Sequence, residues 1–307
     1  MARKGDIRIG ISGWTYGGWR GVFYPTGLPQ RRELAHAAAI FSSIEINGTF
    51  YSLQRPEYFA HWAAETPDDF VFAVKGSRFI THMLKLRNCE QPLANFLASG
   101  VLRLGPKLGP ILWQFPARFH FDRDRIESFR ELLPRDSEAA ARLAQRHDQR
   151  VSGRNWLETD ARRPLRHALE VRHESFADPE FIELLRAHDA ALVASDAVDW
   201  PLFAEATADF VYCRLHGAEE LYASGYDDEA LDCWAARVET WAAGGEPQDI
   251  KRIAGRAAPR RARDVFVYFD NDAKVRAPFD AQGLMARVRP QEAGLADPPP
   301  SAPVETR

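Results

Sequence analysis

The sequence predicts an α/β chain that closes into a (β/α)8 TIM-like barrel, a single domain. Three observations predict it. Eight short strand candidates follow one another along the 307 residues, most of them trailed by a helical pattern. The strands are nearly continuous apolar runs, as expected where both faces of a parallel sheet are covered. Nearly every strand ends in a polar or charged residue, and a barrel carries its chemistry at those ends. The alternative is an open doubly wound sheet with an accessory region. No glycine-rich phosphate fingerprint supports it, because Gly10-Ile11-Ser12-Gly13-Trp14 fits neither common dinucleotide pattern.

The first strand is Ile7–Ile11, followed by a loop rich in Gly, Tyr and Trp and a helix from about 31 to 41 that turns Leu34, Ala38 and Phe41 to one face. The second is Ser43–Asn47, and the helix after it opens at Pro56, a favourable first-turn position. The third, Phe70–Val74, ends at Lys75-Gly76 and leads to a helix near 92–101. The fourth is Gly109–Gln114; its helix, 122–133, spaces Ile126, Phe129 and Leu133 for one face. A polar stretch, 134–166, is longer than an ordinary connection; it holds a helical piece over 137–146 and a mobile piece over 147–164.

The fifth strand is His167–Arg172, and Asp178-Pro179 caps and opens the helix behind it. The sixth, Ala190–Asp196, is followed by a short connection through Trp200. The seventh is Phe210–His216; its helix, 228–243, buries Leu231, Trp234, Val238 and Trp241 and stops at Gly244. After a basic insert, 251–263, comes the eighth strand, Val265–Phe269, and a last helix over about 281–288. The barrel domain therefore spans 1–289, with insertions near 134–166 and 246–263. Residues 290–307, which include Pro298-Pro299-Pro300, read as a disordered tail. No internal repeat accompanies the eightfold alternation.

The composition is that of an ordinary globular chain, with a net charge of -3 that argues against a generally cationic nucleic-acid binder. No apolar run approaches the roughly 18 residues of a membrane span, and the first residues lack the apolar stretch of a secretory signal. Cys89, Cys213 and Cys233 show no metal-like spacing; Cys213 and Cys233 read as reduced core residues. The expected location is cytoplasmic, with no membrane partner.

Three strand ends repeat one pattern. Glu45 with Asn47, Glu170 with Arg172 and Arg214 with His216 each stand two residues apart, and so share a strand face. The apolar residues between and beside them suit the helix-facing side, which turns the pairs into the barrel mouth. Trp14, Lys75, Gln114, Asp196, Asp270 and Asn271 stand at the remaining ends.

Several motifs carry a family resemblance. They are Ile9-Gly10-Ile11-Ser12-Gly13-Trp14, Glu45-Ile46-Asn47-Gly48-Thr49-Phe50-Tyr51, Gly109-Pro110-Ile111-Leu112-Trp113-Gln114-Phe115-Pro116, Glu170-Val171-Arg172-His173, Arg214-Leu215-His216-Gly217 and Tyr268-Phe269-Asp270-Asn271-Asp272. Together they resemble the YecE-like family, the domain of unknown function 72, over about residues 6–288. The resemblance implies a barrel of this type and a site at these strand ends; it implies no particular reaction. The sequence departs from the family pattern at Asp270, where asparagine is usual, and that adds a carboxylate to the mouth.

The chemistry expected from these residues is acid/base work on a small anionic substrate, a phosphorylated sugar or nucleotide-like compound, with hydrolysis first and isomerisation or lyase chemistry second. Glu45 and Glu170 are the acid/base pair, with a structural salt-bridge ring around Arg172 and Arg214 as the competing reading. His216 is the proton shuttle, since its free pKa lies near neutrality. Lys75, Arg172 and Arg214 hold the anion, while Asn47, Gln114 and Asn271 orient it. Asp196 and Asp270 complete the polar set, and Trp14 and Tyr51, with Tyr16, Trp19 and Phe50, form a stacking wall or an apolar lid. Lys75 at the end of an apolar strand also admits Schiff-base chemistry. No cofactor is predicted. A divalent metal held by Glu45, Glu170, Asp196, His216 and Asp270 is the alternative, opposed by the neighbouring cations. The rival from another class is a barrel that binds a ligand or nucleic acid without turnover. The basic insert reads as a solvated loop rather than a phosphate-backbone contact.

Overall fold

In a computed structural model, which describes residues 4–217 and 221–288, the eight strands form one closed parallel barrel. They are β1 (Ile7–Ser12), β2 (Ser43–Ile46), β3 (Val71–Lys75), β4 (Leu108–Gln114), β5 (His167–Glu170), β6 (Ala191–Asp196), β7 (Phe210–Leu215) and β8 (Asp264–Phe269). Each pairs with the next, and β8 pairs back on β1 with Ile9 opposite Val267. The expected 290–307 tail lies outside the described residues.

Strand alternation sorts the side chains into two cores. Ala73, Leu112, Ala168, Val193, Tyr212, Phe266 and Tyr268 fill the barrel interior. Ile9, Ile44, Val74, Trp113, Leu169, Cys213 and Val267 point outward into the layer shared with the helices. Above the interior core, toward the C-terminal strand ends, the same inward rows continue as Ser12, Glu45, Glu170 and Arg214, all fully buried. The row that is apolar at the bottom thus becomes ionic at the top.

The helices are α1 (Glu33–Ala38), α2 (Gly48–Tyr51), α3 (Pro56–Ala64), α4 (Glu90–Ala98), α5 (Arg123–Leu132), α6 (Ser137–Ala144), α7 (Pro179–Ala187), α8 (Asp228–Ala242) and α9 (Ala277–Val288). Aspartates start four of them. The carboxylates of Asp122, Asp136, Asp178 and Asp227 accept from the backbone N–H of Arg125, Ala139, Glu180 and Ala230. Such a cap contributes about 1 kcal/mol. No helix lies between β6 and β7; residues 197–209 cross there as irregular chain, and this connection carries Trp200 to the barrel mouth. Where β3 ends, Gly76 leaves room for an indole: a Cβ there would stand 2.3 Å from the Trp113 ring.

Three expectations need correction. Cys233 is exposed on α8 rather than in the core, because it stands off the stripe of Leu231, Trp234, Val238 and Trp241 that the helix buries. The 147–164 stretch is docked. Val151 is fully buried, Trp156 N–H donates to Ala98 O at 2.8 Å, and Arg103 lies 4.1 Å over the Trp156 ring. A mostly polar composition hid these two anchors. The last helix begins earlier than expected, at Ala277. The basic insert enters β8 at its N-terminal end, opposite the mouth. Its Arg252, Arg256 and Arg261 pair with Glu246, Glu183 and Asp189. No helix among the described residues is long and apolar enough to cross a membrane.

Candidate functional site

The centre of the barrel end is Arg214, whose side chain is fully buried. Its guanidinium grips Glu45 with two prongs, Nε to Oε2 at 3.1 Å and Nη2 to Oε1 at 2.9 Å. Nη2 also donates to Asp270 Oδ2 at 2.8 Å, and Nη1 to Glu170 Oε2 at 2.8 Å. Arg172 closes the ring from outside, donating from Nε and Nη2 to Glu170 Oε1 at 2.8 and 2.6 Å. Glu45 is further held by the Ser12 and Tyr212 hydroxyls, each at 2.5 Å. The planar fork of an arginine suits this job, because it satisfies several carboxylates in fixed directions at once.

These contacts set the charges. Burial alone raises the Glu170 pKa, but the positive charges of Arg172 and Arg214 outweigh it and hold the carboxyl below the usual range. The same contest, with Arg214 the main cation, holds Asp270 ionised. Burial disfavours the Arg214 cation, and Asp270, Glu45 and Glu170 more than restore it. His216 stands with Nδ1 3.1 Å from Asp270 Oδ2 and Nε2 3.7 Å from Glu170 Oε1. Burial lowers its pKa even so, with Asp270 opposing.

Above this ring opens a cleft of about 630 Å³. Trp14, Tyr16, Phe50, Tyr51, Trp62 and Tyr222 form its walls; Asn47, Lys75, Gln114, Asp270 and Asp272 supply its polar groups. The walls are coupled: Trp14 meets Trp62 edge-on at 5.4 Å, and Phe50 meets Tyr51 at 5.0 Å. Lys75 rests its ammonium 4.6 Å over the Phe50 ring, and the ammonium makes no hydrogen bond or ion pair to a described residue. Burial, then the Arg214 charge, lowers its pKa to about 8 against the pull of the three carboxylates. Asp272 moves the other way for a carboxylate: burial and the neighbouring Asp270 raise it to about 6.

Of the residues expected at the site, Trp14, Asn47, Tyr51, Lys75, Gln114 and Asp270 line the cleft. Glu45, Glu170, Arg172, Arg214 and His216 gather in the ring beside and beneath it. Two do not join. Asp196 points out of the barrel, where its Oδ2 accepts from Trp234 Nε1 of α8 at 3.0 Å; the inward residue of β6 is Ser195, which accepts from Trp200 Nε1 at 3.0 Å. Asn271 likewise points outward, donating to Ser224 O and Asp280 Oδ2. Both follow an inward residue by one position, so they face the helices. Sequence reasoning missed Ser12, Tyr212 and Asp272. The first two lie two residues from Gly10 and Arg214 on inward rows, so the rule that found the pairs reaches them as well. Asp272 and Tyr222 sit on loops, where no such rule applies.

Among the described residues no group of three or more His, Cys, Asp and Glu side chains is placed to hold a metal ion. Of the carboxylates named for a metal, Glu45, Glu170 and Asp270 accept from arginine and Asp196 points out of the barrel.

Fold and site together define a (β/α)8 barrel with an arginine-centred ionic ring under an aromatic-walled mouth. The chain belongs to the family described as protein of unknown function DUF72, whose sequence model matches residues 8–305. It is 33% identical over 113 residues to UPF0759 protein YecE of Escherichia coli (strain K12), covering 37% of this chain and 39% of that protein. It is 28% identical over 129 residues to UPF0759 protein YunF of Bacillus subtilis (strain 168), covering 40% and 45%. The matched stretch thus spans less than half of either relative. Two solved structures share the fold. A DUF72 family protein from Thermotoga maritima MSB8 superposes with a TM-score of 0.63 at 23% identity, over 90% of this chain and 96% of that one. One from Enterococcus faecalis V583 gives 0.64 at 16% identity, over 96% and 99%.

Proposed function

We propose that the protein is an enzyme acting on a small, negatively charged organic substrate in the mouth cleft, with Lys75 as the group that meets the substrate's charged or polarised oxygen. The observation that carries this reading is the contrast between two buried lysines. Lys107 donates to Ala63 O at 2.6 Å, to Thr66 O at 2.8 Å and to Thr66 Oγ1 at 3.3 Å, and so is a structural fastener. Lys75 is equally buried but opens onto the cleft with only an aromatic face beneath it. A cation left without a partner in a pocket is available to a ligand, and the ligand supplies the missing partner.

The surroundings give the ligand a shape. Trp14, Phe50 and Tyr51 offer flat apolar faces, while Asn47 and Gln114 offer amide donors and acceptors. A compact compound with one anionic group, hydroxyls and a ring or short chain fits such a lining, and a phosphorylated sugar is one example. Acid/base work falls to Asp272 and Lys75, whose pKa values lie near neutrality on the cleft side. Glu45 and Glu170 act as scaffold: every oxygen of theirs already accepts from Arg214, Arg172, Ser12 or Tyr212.

A thermal-shift screen of phosphate esters and carboxylates against wild type and Lys75→Met tests this reading. Expected is a compound class that stabilises wild type and leaves Lys75→Met unmoved. Equal stabilisation of both proteins, or by neutral analogues alone, overturns it.

A further inference from the structure

We infer that Lys75 is a covalent group, whose amine condenses with the carbonyl carbon of an aldehyde or ketone substrate. This deepens the proposed function and rests on its reading of the cleft as a substrate site.

Three features converge on it. Lys75 closes β3 on the inward row, so a rigid strand end fixes its origin while the cleft leaves its tip free. Its surroundings disfavour the ammonium: burial strips it of water and the Arg214 charge adds to this, together outweighing Glu45, Asp270 and Glu170 and the Phe50 face, which favours the cation. A lysine built only to hold an anion gains from staying charged. This one is pushed toward the neutral amine, the form that attacks a carbonyl, and its pKa of about 8 leaves a useful neutral fraction near pH 7. Finally, imine formation needs a group that gives and takes a proton near neutrality, and Asp272 lines the same cleft with its pKa raised to about 6.

The step balances without an oxidant or further reactant. The nitrogen lone pair attacks the carbonyl carbon, and the C=O π pair moves onto oxygen, which takes up a proton. Nitrogen loses a proton to give a neutral carbinolamine. Asp272 protonates the hydroxyl, which leaves as water while the nitrogen lone pair forms C=N, and the product is an iminium. Its positive nitrogen draws electrons from the adjacent C–H or C–C bond. Addition of water reverses the sequence and frees the amine. The substrate class is therefore a small hydroxylated or carboxylated carbonyl compound, with Asn47 and Gln114 facing its hydroxyls.

The test is reductive trapping on the full chain with glyceraldehyde and with pyruvate, each in the presence of borohydride, followed by peptide mapping. Expected is an adduct on Lys75 formed at least about tenfold faster at pH 7 than on exposed Lys85 or Lys251, because burial pushes the Lys75 amine toward its neutral form. Asp272→Asn should slow trapping at Lys75 and leave Lys85 unchanged. Labelling of Lys75 no faster than of Lys85 overturns the inference; the mapping uses wild type, so no variant need fold. If pyruvate stabilises wild type but not Lys75→Met and no Lys75 adduct forms, the covalent step falls while the anion-binding cleft stands. Absence of both stabilisation and adduct overturns the two together.

Discussion

Two sets of ionisable groups share one end of this barrel, and they are treated in opposite ways. In the ring beneath, Arg214 meets Glu45, Glu170 and Asp270 at hydrogen-bonding distance, and the surroundings of Glu170, Asp270 and Arg214 favour the charged form of each. In the cleft above, neither Lys75 nor Asp272 forms an ion pair with a described residue, and burial pushes each toward its neutral form. The lesson is that charge alone does not mark a working residue. A paired charge builds the floor; an unpaired one that costs the fold stability is retained for another purpose.

The largest test of this division is Arg214→Ala. It leaves Glu45, Glu170 and Asp270 buried around an empty centre, so the expected loss is about 3–5 kcal/mol or more in chemical denaturation. A loss under about 1 kcal/mol would show that the ring is not the floor. Next comes Lys75→Met, which removes an amine whose charged form is disfavoured. At pH 7 it should raise stability by about 1–3 kcal/mol while ligand binding is lost. The wild-type cost is greatest below the folded pKa near 8 and fades as pH rises toward the unfolded value of about 10.4, so the stability gain should shrink over that window.

Smaller effects sharpen the boundary between site and scaffold. Asn271→Ala removes donors to Ser224 O and Asp280 and should cost about 1–2 kcal/mol of stability while the affinity of any cleft ligand stays within about twofold. A large affinity loss without destabilisation would return Asn271 to the site. Asp272 gives the smallest effect, a change in pH slope. Its pKa is raised on folding, so the stability it contributes is full below about pH 4 and lost as pH rises through about 6. Glu170 and Asp270, whose pKa values are lowered, act in reverse: their contribution is full above the ordinary carboxylate range and falls as pH drops below it. Asp272→Asn should therefore flatten the decline between about pH 4 and 6, by about 1 kcal/mol, and leave the acid limb intact. An unchanged slope would remove Asp272 from the cleft pair.

Much of this arrangement was legible in the sequence because a strand has a period of two. Glu45 with Asn47, Glu170 with Arg172 and Arg214 with His216 all fell on the inward face as that period requires. The period also explains the misses. Asp196 and Asn271 stand at strand ends, but one residue out of phase with the inward rows, and a catalogue of strand ends carries no phase. Depth was not legible either. Glu45 and Asn47 share a face, yet the two-residue step of about 6.6 Å between them puts one in the ring and the other in the cleft. Nor was it legible that Arg214 would divide its donors among Glu45, Glu170 and Asp270, since pairing across the barrel depends on which strands stand opposite one another. Tyr222 and Trp200 reach the mouth on irregular chain, where composition gives no direction.

The most direct measurement of the division between floor and cleft is the titration of Lys75 itself. The chain has few lysines, Lys4, Lys75, Lys85, Lys107, Lys251 and Lys274, so the ε-carbon signals of protein labelled with carbon-13 lysine can be assigned by single substitutions. Expected is a signal with a midpoint near 8 that disappears in Lys75→Met and shifts when a cleft ligand is added. A Lys75 signal that titrates only above about 10, as in a free peptide, would contradict it.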